Sequence, residues 1–200
     1  MIEPKIHDLL VKQGSIYEEG FHWYGGGKIC ANIENVTVGC PTNIQVTDHG
    51  LPSISPTPIH IRNVRGARAL NTGDTECDMV LATYVDDDNF TIDIDTGNQR
   101  YKANSGSIEW YQPKNLTSWT AELQIREKID DAVPLVTLTS GGGDITISIP
   151  DARIVFTIDT VTTEGLDFIE GVYDLELIDP AAEATRVLEG KVFLSKEVTR

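Results

Sequence analysis

The 200-residue chain carries 31 acidic against 16 basic residues, for a formal net charge of −15, and 40% of it is apolar. That apolar share is enough for a packed core in one domain or two small ones. A surface this negative repels phosphate backbones and anionic lipid leaflets, which argues against nucleic acid or a membrane as partner. The opening Met1-Ile2-Glu3-Pro4-Lys5 lacks a basic stretch followed by an apolar one. No run approaches the length of a transmembrane helix, so the expected compartment is a cytosol. Cys30, Cys40 and Cys77 are odd in number, with no two-residue spacing and no accompanying His set. They are expected to be reduced, partly buried thiols.

The first predicted strand lies within Lys12 to Tyr24, where Tyr17, Phe21, Trp23 and Tyr24 supply the aromatic density that suits a pleated surface. Gly25-Gly26-Gly27 breaks it. Beyond, the segments Ile44 to Leu51, Ile59 to Gly66, Leu70-Asn71 and Asn89 to Asp93 form a pattern of their own. Between Leu51 and Ile59, three prolines (Pro52, Pro56 and Pro58) predict an extended, semi-rigid loop suited to contact.

The most regular strand follows. Trp119, Ala121, Leu123 and Ile125 fall on one face of an extended chain, and Thr120, Glu122, Gln124 and Arg126 on the other. Pro134 to Thr139 is a further strand, then a turn at Ser140 to Asp144. Ile145, Ile147 and Ile149 alternate after it, and beyond Pro150-Asp151 so do Ile154, Phe156 and Ile158. Tyr173, Leu175 and Leu177 face inward opposite Asp174 and Glu176. Helix is confined to a turn or two, at Thr160 to Leu166 or Pro180 to Thr185. Strands at this spacing with Gly and Pro between them indicate a sandwich rather than βαβ units. Each buried apolar side chain contributes about 1.5–3 kcal/mol, so a dozen can offset the ordering entropy without metal or disulfide.

The Leu116 to Arg126 strand, with Gly171 to Ile178, Thr185 to Val192 and the terminal Glu197 to Arg200, resembles a β-sandwich module of bacteriophage virion proteins. The pattern is similar to the N-terminal domain of phage baseplate upper protein. Gln13-Gly14 and Trp23 match that module's opening strand. The module's second strand normally follows directly, yet here it waits until Asn115, and some eighty residues are too many for a structureless loop. The intervening residues 33 to 106 resemble a small β-barrel-like module labelled after the first catalytic-cysteine half-domain of ubiquitin-activating enzymes, which also occurs in phage particle proteins. That likeness conveys a strand order and a His-Gly-Leu turn, without ubiquitin chemistry, and there is no Gly-x-Gly-x-x-Gly.

Among groups with chemical potential, Asp86-Asp87-Asp88 with Asp93 and Asp95 offers oxygens for a hard cation, but the EF-hand spacing is absent. A solvated turn and the polar face of one strand is the preferred reading. His7, His22, His49 and His60 are scattered, and His49 is expected to bond backbone in its turn. Hydrolase signatures are missing, and paired carboxylates of the glycosidase kind lack an aromatic-lined setting. Trp23, Trp110 and Trp119 are expected as core residues. Arg62, Arg65 and Arg68, three apart in an acidic chain, form a candidate interface, since Arg forks onto carboxylates.

The expected architecture is all-β. It consists of a discontinuous β-sandwich (immunoglobulin-like or jelly-roll-like) from residues 1–27 and 107–200, with a small β-barrel-like module, residues 28–106, inserted near the N-terminus. The resemblances imply a virion structural protein without enzymatic activity or cofactor, assembled in the bacterial host cytoplasm. It would bind other virion proteins and further copies of itself in a tail, neck or baseplate. The competing expectations are capsid decoration and, from another class, a carbohydrate-binding host-attachment module.

Overall fold

The computed structural model describes residues 5–53, 56–73, 78–149 and 151–197. The chain is all-β, and it divides into two compact units, residues 1–23 with 116–200 and residues 24–115.

In the first unit the central element is β11 (Thr120–Arg126), whose Ala121, Leu123 and Ile125 are buried while the alternate residues are exposed or half-buried. It pairs antiparallel with β12 (Val136–Thr139) on one side and β15 (Glu170–Ile178) on the other, setting Leu123 opposite both Leu138 and Leu175. β15 pairs in turn with β16 (Ala184–Ser195), with a bulge opposite Leu175 and Glu176. The extra residue there explains why the successive Val187 and Leu188 are both buried. Two short strands the sequence did not announce, β1 (Lys5–Ile6) and β2 (Leu9–Lys12), run parallel to β16 and complete a six-stranded sheet. Between them His7 N–H donates to the Glu189 carbonyl, and Asp8 accepts the Lys191 N–H on its side chain, so the ladder is not interrupted.

A three-stranded sheet covers this one: β3 (Tyr17–His22), β14 (Arg153–Ile158) and β13 (Ile145–Ser148). Ile145, Ile154, Phe156 and Ile158 join Leu9, Val11, Leu123, Ile125, Leu175, Leu177 and Val192 in one apolar cluster, the interior of a two-layer sandwich. Trp23 and Trp119 meet edge to face at 5.5 Å against it. The one α-helix among the described residues, α1 (Thr160–Glu164), begins where Asp159 accepts the Thr162 N–H at 2.6 Å and stops at Gly165. Gln13 shows what its side chain does: its amide donates to the Leu166 carbonyl and its carbonyl accepts from Glu197 N–H. Gly14, at φ 73°, turns the chain towards β3.

The second unit is one seven-stranded sheet in the order β4-β10-β7-β8-β9-β6-β5. The strands are β4 (Lys28–Asn32), β5 (Asn35–Thr37), β6 (Thr42–Gln45), β7 (Thr57–Arg62), β8 (Val80–Asp86), β9 (Asn89–Ile92) and β10 (Ser107–Tyr111). Its two terminal strands are pieces of one segment, joined only by Ile33 and Glu34. Ile33 N–H donates to Gly106 O beside β10, while Glu34 N–H donates to Gln45 O at the end of β6. A sheet whose first and last strands are a single bent segment closes on itself as a small barrel. Its interior is Ile44, Ile59, Ile61, Phe90, Ile108 and Trp110, each at most 1% exposed, with Leu70 from a 3-10 turn at Arg68–Leu70.

Several expectations need correction. Residues 107–115 belong to the inserted unit, because β10 pairs with β4 and β7. Pro58 lies inside β7 opposite Leu81, so the proline-rich loop is shorter than its sequence suggests. Cys30 and Cys40 are exposed thiols rather than partly buried ones, since Cys30 points outward from a terminal strand and Cys40 sits in a turn. Cys77 lies outside the described residues.

Candidate interaction surfaces

The groups with potential for chemistry resolve into separate structural roles. Asp86, Asp87 and Asp88 form the turn of the β8–β9 hairpin. Asp86 accepts from Asp88 N–H and the Asn89 amide, Asp87 from the Tyr84 hydroxyl at 2.7 Å, and Asp88 from Asp48 N–H. The Asn89 amide, followed by the Asp88 backbone, holds the Asp86 carboxyl below the usual carboxylate range. Asp93 and Asp95 do not share a strand face: β9 ends at Ile92, and Asp95 caps its own turn by accepting from Gly97 N–H. Among the described residues no three His, Cys, Asp or Glu side chains converge as a cation would need.

His49 is buried, and as expected its ring bonds backbone. Its Nδ1 accepts the Leu51 N–H at 3.0 Å, which leaves Nε2 to donate to the Asp86 carbonyl at 2.9 Å. His60 is buried and faces the Thr72 hydroxyl. His22 stands beside a buried carboxylate, with Nε2 3.9 Å from Asp151. Burial lowers its pKa, Asp151 opposes that shift and Arg153 adds to it. The hydroxyl nearest in register, Ser148, is two strands away across β14.

The outer face of the six-stranded sheet is different in kind. A groove of about 480 Å³ is lined by Ile6, Ile129, Val172 and Tyr173 together with Arg126, Arg186 and Lys191. Ile6 and Ile129 are 77% and 78% exposed. Ile129 belongs to the loop between β11 and β12, which also exposes Val133 and Leu135, and Leu135 N–H donates to the Ile125 carbonyl at the same end of the sheet. β12 is the last strand on that side of the sheet. On the floor of the face Arg186 lies 3.0 Å from Asp174, 3.2 Å from Glu189 and 3.8 Å from Glu176. The sequence signal for this region was four apolar residues among the charges of Ile129-Asp130-Asp131-Ala132-Val133-Pro134-Leu135, the last two of which open the strand expected from Pro134.

The arginine triplet does not act as one group. Arg62 is half-buried in β7, its guanidinium 3.5 Å from Glu109, which also holds the Lys28 ammonium at 2.8 Å. The Lys28 contact, with Arg62 adding to it, keeps the Glu109 carboxyl below its usual range. Arg65 and Arg68 are exposed and form no ion pair among the described residues. Against them lies a second basic segment, Arg100 to Lys102. Lys102 N–H donates to Arg65 O at 2.9 Å, and the Gln99 side chain accepts the Ala69 N–H. The buried Ser105 hydroxyl receives Arg65 N–H and donates to Lys102 O at 2.6 Å. Gly66, at φ 84°, lies so close to the Arg100 carbonyl that a Cβ would overlap it. Arg100 and Lys102 escaped the sequence reading because over thirty residues separate them from Arg65. Of the prolines, Pro52 is half-buried, Pro56 exposed and Pro58 half-buried in β7, with 54–55 between them outside the described residues.

No family model matches the chain, and no curated protein matches it as a relative, so the likeness to phage virion modules rests on the residues quoted for it.

Proposed function

We propose that this chain is a structural subunit of a bacteriophage particle, working by binding neighbouring proteins in the tail, neck or baseplate. The observation that carries the binding role is the outer face of the six-stranded sheet, where a groove is lined by the exposed Ile6 and Ile129 and where the loop leading into the terminal strand β12 also exposes Val133 and Leu135. Monomeric proteins rarely keep such side chains together in water, and open strand edges are surfaces on which assemblies build. The particle context comes from the two sequence resemblances, both to modules of phage virion proteins. The test is mass spectrometry of particles purified from a lysate of the host carrying the gene. Peptides of this chain co-purifying at a few to a dozen copies per particle are expected of a ring component, and hundreds of copies would favour capsid decoration. Absence from the particles, or retention of the protein on an immobilised glycan panel, would replace this reading.

A further inference from the structure

Arg65, Arg68, Arg100 and Lys102 form a preorganised cationic patch on the inserted unit, and we infer that its occupant is the carboxylate-rich sandwich unit of a second copy of this chain. This deepens the reading of the chain as an assembling subunit and rests on it. All four residues are exposed, and none makes an ion pair among the described residues. The two segments that carry them are fastened by the Lys102-to-Arg65 backbone bond, the Ser105 hydroxyl and the close approach at Gly66. The Tyr101 hydroxyl stiffens the second segment by donating to Ser105 O at 2.8 Å while receiving Ser105 N–H. Four like charges held together without counter-charges repel one another, and an acidic chain has ample carboxylates with which to neutralise them locally. Among the described residues none of those carboxylates pairs with them.

The complementary surface is present on the same polypeptide. The sandwich segments, residues 1–23 and 116–200, hold 20 acidic against 9 basic residues, whereas the inserted unit holds 11 against 7. Glu127, Asp130, Glu164 and Glu183 of the sandwich are exposed and free of ion pairs among the described residues. A guanidinium fork onto carboxylates is strong and directional, and at physiological salt such contacts act over only about 8 Å. Local complementarity therefore decides docking despite the net repulsion between copies. Because the patch and its target are unlike surfaces, the contact is head to tail, the kind that generates rings or open chains.

The experiment uses the full chain. Mixed samples of unlabelled and nitrogen-15-labelled protein are coupled with a zero-length carbodiimide and digested, and lysine-to-carboxylate links are sequenced. Sedimentation velocity is run in parallel on the wild type and on the combined variant Arg65→Ser, Arg68→Ser, Arg100→Ser, Lys102→Ser, whose fold is checked by circular dichroism. The expected results are mixed-isotope links from Lys102 to acidic residues of the sandwich unit and concentration-dependent association of the wild type. The association should weaken about tenfold or more in the variant and in about 0.5 M salt. A wild type that stays monomeric at low salt, a variant that associates as the wild type does, or Lys102 links confined to one isotope would overturn the inference. So would retention of a DNA oligonucleotide by the wild type and not by the variant, which would assign the patch to phosphate. Presence in particles together with a monomer in solution sinks only this inference, and self-association without presence in particles sinks only the particle assignment.

Discussion

Replacing Gly66 with alanine should separate two effects that the inserted unit combines at one residue. At φ 84° an alanine bears about 1–2 kcal/mol of left-handed backbone strain. Its Cβ would also overlap the Arg100 carbonyl, so the two segments must part and the Lys102-to-Arg65 bond, worth about 0.5–1.5 kcal/mol net, is lost. The combined cost is about 1.5–3.5 kcal/mol. Gly27 in the same unit is the control: nothing lies within 4 Å of its Cβ position and its φ is ordinary, so Gly27→Ala should be neutral or stabilise by up to about 1 kcal/mol. The assay is urea unfolding by far-UV circular dichroism, with amide exchange at Ile61, Phe90 and Ile108 reporting the inserted unit. Unfolding free energies for the two variants that agree within about 0.5 kcal/mol would refute the argument that this glycine fastens the two basic segments.

Three further outcomes follow from the structure. Phe156→Ala, at a residue fully buried between the two sheets, should destabilise the sandwich by about 3–5 kcal/mol in the same urea assay. In Gly190→Ala the Cβ would meet the His7 carbonyl and Asp8, so amide exchange at Leu9 and Val11 should accelerate at least tenfold as the N-terminal strands lift from β16, while exchange at Phe90 stays unchanged. Burial depresses the His22 pKa below its unfolded 6.5, so the unfolded chain binds more protons than the folded one just below that pH. Wild-type stability should therefore fall relative to His22→Gln as pH drops through 6.5 towards the folded pKa. A difference in melting temperature independent of pH would contradict that sign.

Strict alternation made the sandwich core legible. Ala121-Leu123-Ile125, Ile154-Phe156-Ile158 and Tyr173-Leu175-Leu177 each bury the face their period of two assigns. Of the two places expected to hold a turn or two of helix, Thr160 to Leu166 and Pro180 to Thr185, the first holds Thr160–Glu164, where Asp159 caps the start. What escaped were strands whose reason to exist lies in a partner. Lys5–Ile6 and Leu9–Lys12 are too short to show a period, and they form because β16 offers a parallel edge. Lys28–Asn32 exposes or half-exposes every residue, so burial left no pattern to read there, and its pairing with Ser107–Tyr111 is what moves the domain boundary. The candidate surfaces follow the same division. Arg65 and Arg68 were visible by spacing, but the withdrawal of Arg62 onto Glu109 and the arrival of Arg100 and Lys102 depend on contacts across the sheet and between distant loops. Ile129, Val133 and Leu135 are apolar residues that the fold leaves in water.

The most direct test of the central claim is quantitative mass spectrometry of gradient-purified particles produced with either the wild-type gene or one encoding Ile6→Ser, Ile129→Ser, Val133→Ser and Leu135→Ser. The account predicts wild-type protein at fixed stoichiometry with the other particle proteins and a variant that folds yet is depleted from the particles. Particles lacking the wild-type chain, or a variant incorporated at the wild-type level, would contradict it.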